Sequence, residues 1–465
     1  MNLPTAPGAT LPLLDFSDLP RFDAITPDQV APALDVLLTD ANRALEQVTA
    51  DTFPAEWAAI AGTLDVATER LSRAWGAVSH LNSVADTPEL RAAYNEALPK
   101  VTEFWTRLGS DERLYAKYKA MDPASLNAEQ TQAHKNAMRS FVLGGAELQG
   151  EAKERFAWLQ ERQAELGQKF SENALDATDA FSLIVSTEEL AGVPADVLQA
   201  TAAAAKAEGQ TGHKLTLKMP CYLPVMQFAK NSAVREQLYR AYVTRASDLG
   251  VDASLDNGAL ISEILALRQE EAQLLGYQNF AQVSLATKMA QSPDEVMGFL
   301  RDLAQRARPY AERDVAEMRA FAAEHLGLSD PQAWDWPYVG EKLKEARYAF
   351  SDQEVKPYFP APKVLAGLFK IVETLFEVSI RRDSAAVWHP TVEFYRIERQ
   401  GTLVGQFYLD PSARAGKRGG AWMDDVRARW LRPDNGQLQT PIAHLVCNFA
   451  DGVGGQPPLL SHDDV

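Results

Sequence analysis

Metal-bound or nucleophilic chemistry would have to come from seven histidines and two cysteines, and their spacing decides most of the question. His80, His134, His213, His325, His389, His444 and His462 include no two within five residues of each other. A local zinc site needs two histidines one turn apart on the same helical face. Only a site assembled from distant residues stays open. Cys221 and Cys447 form no CxxC pair and stand among apolar neighbours, so they read as structural thiols. No G-x-S-x-G elbow occurs, and Gly416-Lys417 lacks the upstream Gly and the following Ser or Thr of a phosphate loop. Gly452-Val453-Gly454-Gly455, ahead of Pro457-Pro458, reads as a connector. No catalytic residue and no metal ligand is assigned within these residues.

Two features remain. Gly419, Gly420, Ala421 and Trp422 open a candidate strand with small side chains, which lets a second backbone approach closely and suits peptide capture by strand addition. The same residues also fit a glycine bulge beside a core tryptophan. Asp424 and Asp425 just beyond read either as a solvated loop or as acids facing a peptide's cationic groups. The second feature is Ser461-His462-Asp463-Asp464, a Ser/Thr-x-x-Asp/Glu capping box flanked by Leu460 and Val465 in hydrophobic-staple positions. An isolated helix needs roughly 12–15 residues to be marginal in water. A complete start signal at the last residues is therefore expected to be an interrupted helix, with a short capped turn as the other reading.

Helices must position these residues. Trp57, Ile60, Leu64, Leu71, Trp75, Val78 and Leu81 recur at three- and four-residue steps, and Leu90, Tyr94, Ala97, Val101, Trp105 and Leu108 repeat the pattern. Further amphipathic stretches are predicted at residues 129–143, 151–175, 232–247, 257–275, 293–326 and 362–378. Strand signals cluster in two places. Residues 180–186 and 213–219 predict a small antiparallel ribbon. Residues 392–398 and 403–409 predict a hairpin around Gln400-Gly401, joined by strands at 420–423 and 442–449 with a turn at Asp434-Asn435-Gly436. The expected fold is mainly α, with a large helical N-terminal lobe and a small antiparallel β region near the C-terminus. Residues 1–16 read as a flexible leader, 17–330 as the helical lobe, and 331–465 as an incomplete α+β region.

The chain of 465 residues carries 46 Lys and Arg against 63 Asp and Glu, a net charge of −17. That charge repels phosphate backbones and anionic lipid head groups, which argues against nucleic acid and membrane partners. Neither a cationic leader nor a run of about 18 apolar residues is present, so no secretory signal or membrane span is expected. With two cysteines, a reducing cytoplasm fits best.

Several stretches carry a resemblance in order along the chain. They are Val78-Ser79-His80-Leu81-Asn82-Ser83-Val84, residues 242–250, residues 284–290, Lys356-Pro357-Tyr358-Phe359-Pro360, Val387-Trp388-His389-Pro390, Phe407-Tyr408-Leu409-Asp410, residues 417–425 and residues 459–465. Together they resemble the thimet oligopeptidase-like family of zinc metallopeptidases, from about residue 20 to the end. The resemblance implies two mostly helical lobes flanking a deep channel too narrow for folded proteins, and hydrolysis of short unstructured peptides. It implies zinc for the complete enzyme, held by a His-Glu-x-x-His helix that the segment resembling residues 459–465 opens. A further Glu completes that ligand set, and downstream His and Tyr residues stabilise the tetrahedral intermediate. None of these is among the residues here. By the same resemblance, Gly419, Gly420, Ala421 and Trp422 lie on the active-site side of the sheet.

The resemblance thus predicts a truncated metalloendopeptidase, inactive alone, monomeric when complete, and binding no zinc by itself. Two alternatives stand beside it: a peptide-binding or regulatory remnant, and one half of a split enzyme completed by a C-terminal fragment. Without the rest of the second lobe, exposed apolar surface and association are expected.

Overall fold

Amphipathic spacing becomes helix at nearly every predicted place. In the computed structural model, which describes residues 11–465, the first stripe runs as Trp57–Ile60, a π-helical turn at Ala61–Asp65, and Val66–Val84. The second is Pro88–Ser110, started by Pro88 and by the Thr87 hydroxyl, which accepts from the Leu90 amide at 3.2 Å. Ala128–Leu143, Glu151–Ala180, Ser232–Val243, Gly258–Leu274, Pro293–His325 and Ala361–Phe376 follow. No described helix is long and apolar enough to cross a membrane. Residues 1–10 of the expected leader lie outside the described residues. Leu13, within that leader, is only 3% exposed and already belongs to the core.

The predicted ribbon is β1 (Leu183–Val185) against β2 (His213–Leu215), antiparallel, with the helix Ala195–Ala207 between them. The larger sheet comprises β3 (Ser379–Asp383), β4 (Glu393–Arg399), β5 (Thr402–Ser412), β6 (Trp422–Arg427) and, after a small hairpin of β7 (Trp430–Leu431) and β8 (Leu438–Gln439), β9 (Ile442–Phe449). Its order is β3-β4-β5-β9-β6. Gln400 and Gly401 both take positive φ, 50° and 78°, which is the backbone that a two-residue hairpin requires.

One expectation needs correction. The β region is mixed: β5 and β9 run parallel, with Tyr408 opposite His444. The chain leaves β5, lays β6 down as an outer strand, and returns between them. The Asp434-Asn435-Gly436 turn accordingly closes β7 on β8. Strand β3 escapes a hydrophobicity-based reading because it is an edge carrying the exposed Arg381 and Arg382, a common protection of edges.

One apolar cluster spans the N-terminal helices and the sheet, with Leu34, Leu71, Val78 and Phe104 packed in the same body as Phe394, Tyr408 and Ile442. Inside it, the His80 and His444 rings stack 3.5 Å apart at 8°, walled by Phe22, Trp388 and Tyr408. All four ring nitrogens are buried without a hydrogen-bond partner among the described residues, so no hydrogen bond there favours a positive charge. Burial, then the neighbouring His444, Arg414 and Lys417, holds His80 well below the usual imidazole range. Burial brings His444 down to about 3, with Asp410 opposing.

Two helices remain apolar on their open faces. Ala361–Phe376 exposes Leu368, Ile371, Leu375 and Phe376, the last three by 59% or more, and Pro293–His325 buries only Ala322. Such a surface favours self-association.

The unfolded chain takes up a proton on each imidazole near pH ~6.5 while the folded chain resists, so stability is full above that value and falls as pH drops. Each histidine contributes a slope approaching about 1.4 kcal/mol per pH unit. Denaturant melts of His444→Phe between about pH 6 and 5 should show a shallower fall than the parent chain, and an identical slope would contradict the neutral stack. Sedimentation velocity should show concentration-dependent association that the double substitution Ile371→Lys and Leu375→Lys reduces. A monodisperse parent chain would contradict this.

Candidate functional site

The site is built outward from one buried ammonium. Lys417 is 0% exposed. Its Nζ donates to Asp410 Oδ1 at 2.8 Å, Asp410 O at 3.1 Å, Ser412 O at 2.8 Å and Cys447 O at 2.6 Å. Asp410, also fully buried, accepts from both terminal nitrogens of Arg414 at 2.7 Å and from Trp388 Nε1 at 3.0 Å. Burial pushes the Asp410 carboxyl up, but hydrogen bonds from Arg414 and Lys417 outweigh it and hold it below the usual range. Burial lowers the Lys417 ammonium, with Asp410 opposing.

This pair ties the loop after β5 to β9, and further contacts tie it to the helices. Arg414 donates to Val84 O at 2.7 Å, and the Arg418 amide to Ser83 O at 2.9 Å. Gly416 donates to Asp179 Oδ2 at 2.9 Å and accepts from the Asp86 amide at 3.0 Å. Its φ is +70°, and a Cβ would stand 2.8 Å from Asp86 O, so only glycine fits.

The clamped loop delivers the four predicted residues to the sheet's open edge. Gly419 and Gly420 are exposed, and a Cβ at either would meet nothing within 4 Å. Asn448 Nδ2 holds the entry, donating to Arg418 O at 3.0 Å and Gly420 O at 2.6 Å. Ala421 is exposed, while Trp422 is half-buried and starts β6 opposite Val446. Trp422 belongs to none of the buried apolar clusters. Among the described residues strand β6 pairs with β9 on one side only. Asp424 and Asp425 are exposed on it.

Beside Gly419 and Gly420 lies a cleft of about 340 Å³ whose far walls include Phe170, Leu175, Tyr242 and Arg245. The sequence alone offered no sign of this cleft, and the Lys417 network was not read from it. A buried-site signal was present at Asp410, an acid within the otherwise apolar run Phe407-Tyr408-Leu409.

The remaining candidates fall into structural places. Burial raises both thiols, which argues against an activated nucleophile. Gly452 turns so tightly that a Cβ would lie 2.1 Å from Gln456 O, as a connector requires. Ser461 and Asp464 form the reciprocal capping box, with Ser461 N to Asp464 Oδ2 at 2.8 Å and Asp464 N to Ser461 Oγ at 3.2 Å. Its staple is not closed: Leu460 is 2% exposed and Val465 63%. Leu460 instead donates to Phe359 O at 2.9 Å, joining two stretches that the resemblance had left separate.

Zinc does not fit the residues present. Among the described residues no three His, Cys, Asp or Glu side chains gather as a metal site, and His80 and His444 stack face to face rather than converging on a point.

A mainly helical body with a small mixed sheet agrees with what sequence comparison finds. The chain belongs to peptidase family M3, which it matches over residues 225–465, and residues 34–153 match the neurolysin/thimet oligopeptidase N-terminal domain. It is 45% identical over 464 residues to oligopeptidase A of Salmonella typhimurium and 44% identical over 464 residues to that of Escherichia coli. The oligopeptidase A of Haemophilus influenzae is 40% identical over 462 residues. Each alignment covers 98% of this chain and 68% of the relative.

Removing one partner of a buried pair leaves the other charge uncompensated, at a cost of about 3–5 kcal/mol. Lys417→Met should lower the denaturation free energy by that amount. A loss below about 1 kcal/mol, the scale of an exposed ion pair, would show that the network is not a clamp.

Proposed function

We propose that this chain serves a zinc-dependent oligopeptidase that hydrolyses short, unstructured peptides in the cytoplasm, and that the residues present bind the peptide without cleaving it. The observation behind this is the β6 edge, an exposed strand introduced by Gly419 and Gly420 and clamped by the Lys417–Asp410 pair. Strand addition recognises the peptide main chain and therefore tolerates many sequences. Membership of peptidase family M3 supports peptides as the substrate class.

In this reading residues 17–330 and 331–465 are the two walls beside the peptide, and the complete enzyme is a monomer. The seven histidines provide no His-Glu-x-x-His pair, and no general base or metal ligand is assigned here. Zinc would supply the hydrolytic chemistry from residues outside this set, and a C-terminal fragment bearing them is the partner that could complete the site.

The purified chain, mixed with a quenched fluorescent peptide and added zinc, should give no chelator-sensitive turnover above a blank. Calorimetry with the same unlabelled peptide should give micromolar binding. Turnover would overturn the absence of catalysis, and absence of binding would overturn the role of β6.

A further inference from the structure

From the glycines to the middle of β6 charge is sorted by sign, before Arg427 ends the strand. At the Gly420 end, the cleft carries Arg245 and Arg418, and neither guanidinium is in an ion pair among the described residues. Arg245 lies over the Tyr242 ring, 3.8 Å from its centroid, and Arg418 reaches Gln168 Oε1 at 3.5 Å. Lys218 in the same cleft is by contrast neutralised by Asp179. A chain with 63 acids and 46 bases has carboxylates to spare, yet among the described residues none pairs with either of these two cleft-lining arginines.

Midway along β6 stand Asp424 and Asp425, exposed and likewise in no ion pair among the described residues. Gly420 and Asp424 are separated by about 13 Å of strand at ~3.3 Å per residue. That is the length of a peptide of four or five residues. A peptide added antiparallel to β6 would bring its C-terminal end to the arginines and its amino end to the acids. The parallel orientation would set like charges together at both ends.

We propose that Arg245 and Arg418 form a carboxylate-binding site that fixes the direction of the bound peptide. The inference rests on β6 as the peptide edge and goes beyond it by naming the chemistry at one end. Guanidinium groups match a carboxylate with paired, charge-assisted hydrogen bonds, and the stack on Tyr242 holds one of them in place. The carboxylate is either the peptide's terminus or an acidic side chain near it.

Calorimetry of the chain with three forms of one alanine-rich pentapeptide tests this: the free acid, the C-terminal amide, and the amide with one internal glutamate. The free acid should bind about tenfold more tightly than the plain amide. Arg245→Gln and Arg418→Gln should each shrink that ratio, to below about threefold, with amide affinity and thermal melting unchanged, while Arg245→Lys keeps most of it. If the glutamate amide matches the free acid, the site takes a side-chain carboxylate, which also supports it. Equal binding of acid and amide would overturn the carboxylate site while leaving β6 as the peptide edge. Acid preference surviving both glutamine variants would overturn the assignment to these arginines. Failure of every form to bind would remove the β6 reading itself, and this inference with it.

Discussion

An ammonium group with no access to water governs this structure. Lys417 has three N–H bonds and four oxygens around it, drawn from the end of β5 and from β9. Left alone, such a charge would cost several kcal/mol. Asp410 offsets that cost, and Arg414 and Trp388 in turn saturate Asp410. The network is therefore worth little as a source of net stability and much as a specification. Only one placement of the loop at residues 413–420 satisfies every group in it. Gly419 and Gly420 consequently sit at a strand edge with the precision of a core, although they are exposed.

That placement also depends on the N-terminal helices. Ser83 and Val84, whose carbonyls would otherwise be unsatisfied at a helix C-terminus, accept from the Arg418 amide and from Arg414. Asp179, near the end of Glu151–Ala180, accepts from Gly416 and pairs with Lys218. Helix ends from distant parts of the chain thus finish their own hydrogen bonding by gripping the loop. The stacked His80 and His444 mark the same seam deeper in, where the helix carrying Ser83 meets the strand carrying Cys447.

Much of the fold was legible because it is periodic. Trp57 to Leu81 and Leu90 to Leu108 announce helices through spacing alone, and Gln400-Gly401 announces a hairpin through backbone preference. The parallel pairing of β5 with β9 was not legible, since alternation reports which face is buried and not which direction a neighbour runs. A strand was legible just after Gly419 and Gly420, and β6 begins at Trp422. The clamp was hidden: Lys417 meets Asp410 7 residues away and Cys447 30 away, and neither separation has a local signature. Arg245 was equally silent, because its meaning comes from what faces it across the cleft.

The parallel pairing of β5 with β9 has a kinetic consequence. Antiparallel neighbours joined by a tight turn can zip from that turn, as β4 and β5 do. Strand β9 must first close the excursion through residues 413–441, which pays loop entropy before any contact rewards it. Strand β6 lies within that excursion and, among the described residues, pairs only with β9. The open edge is thus the last part of the sheet to assemble, and slow docking of β9 would delay it while the remaining helices and the β4–β5 hairpin are already in place.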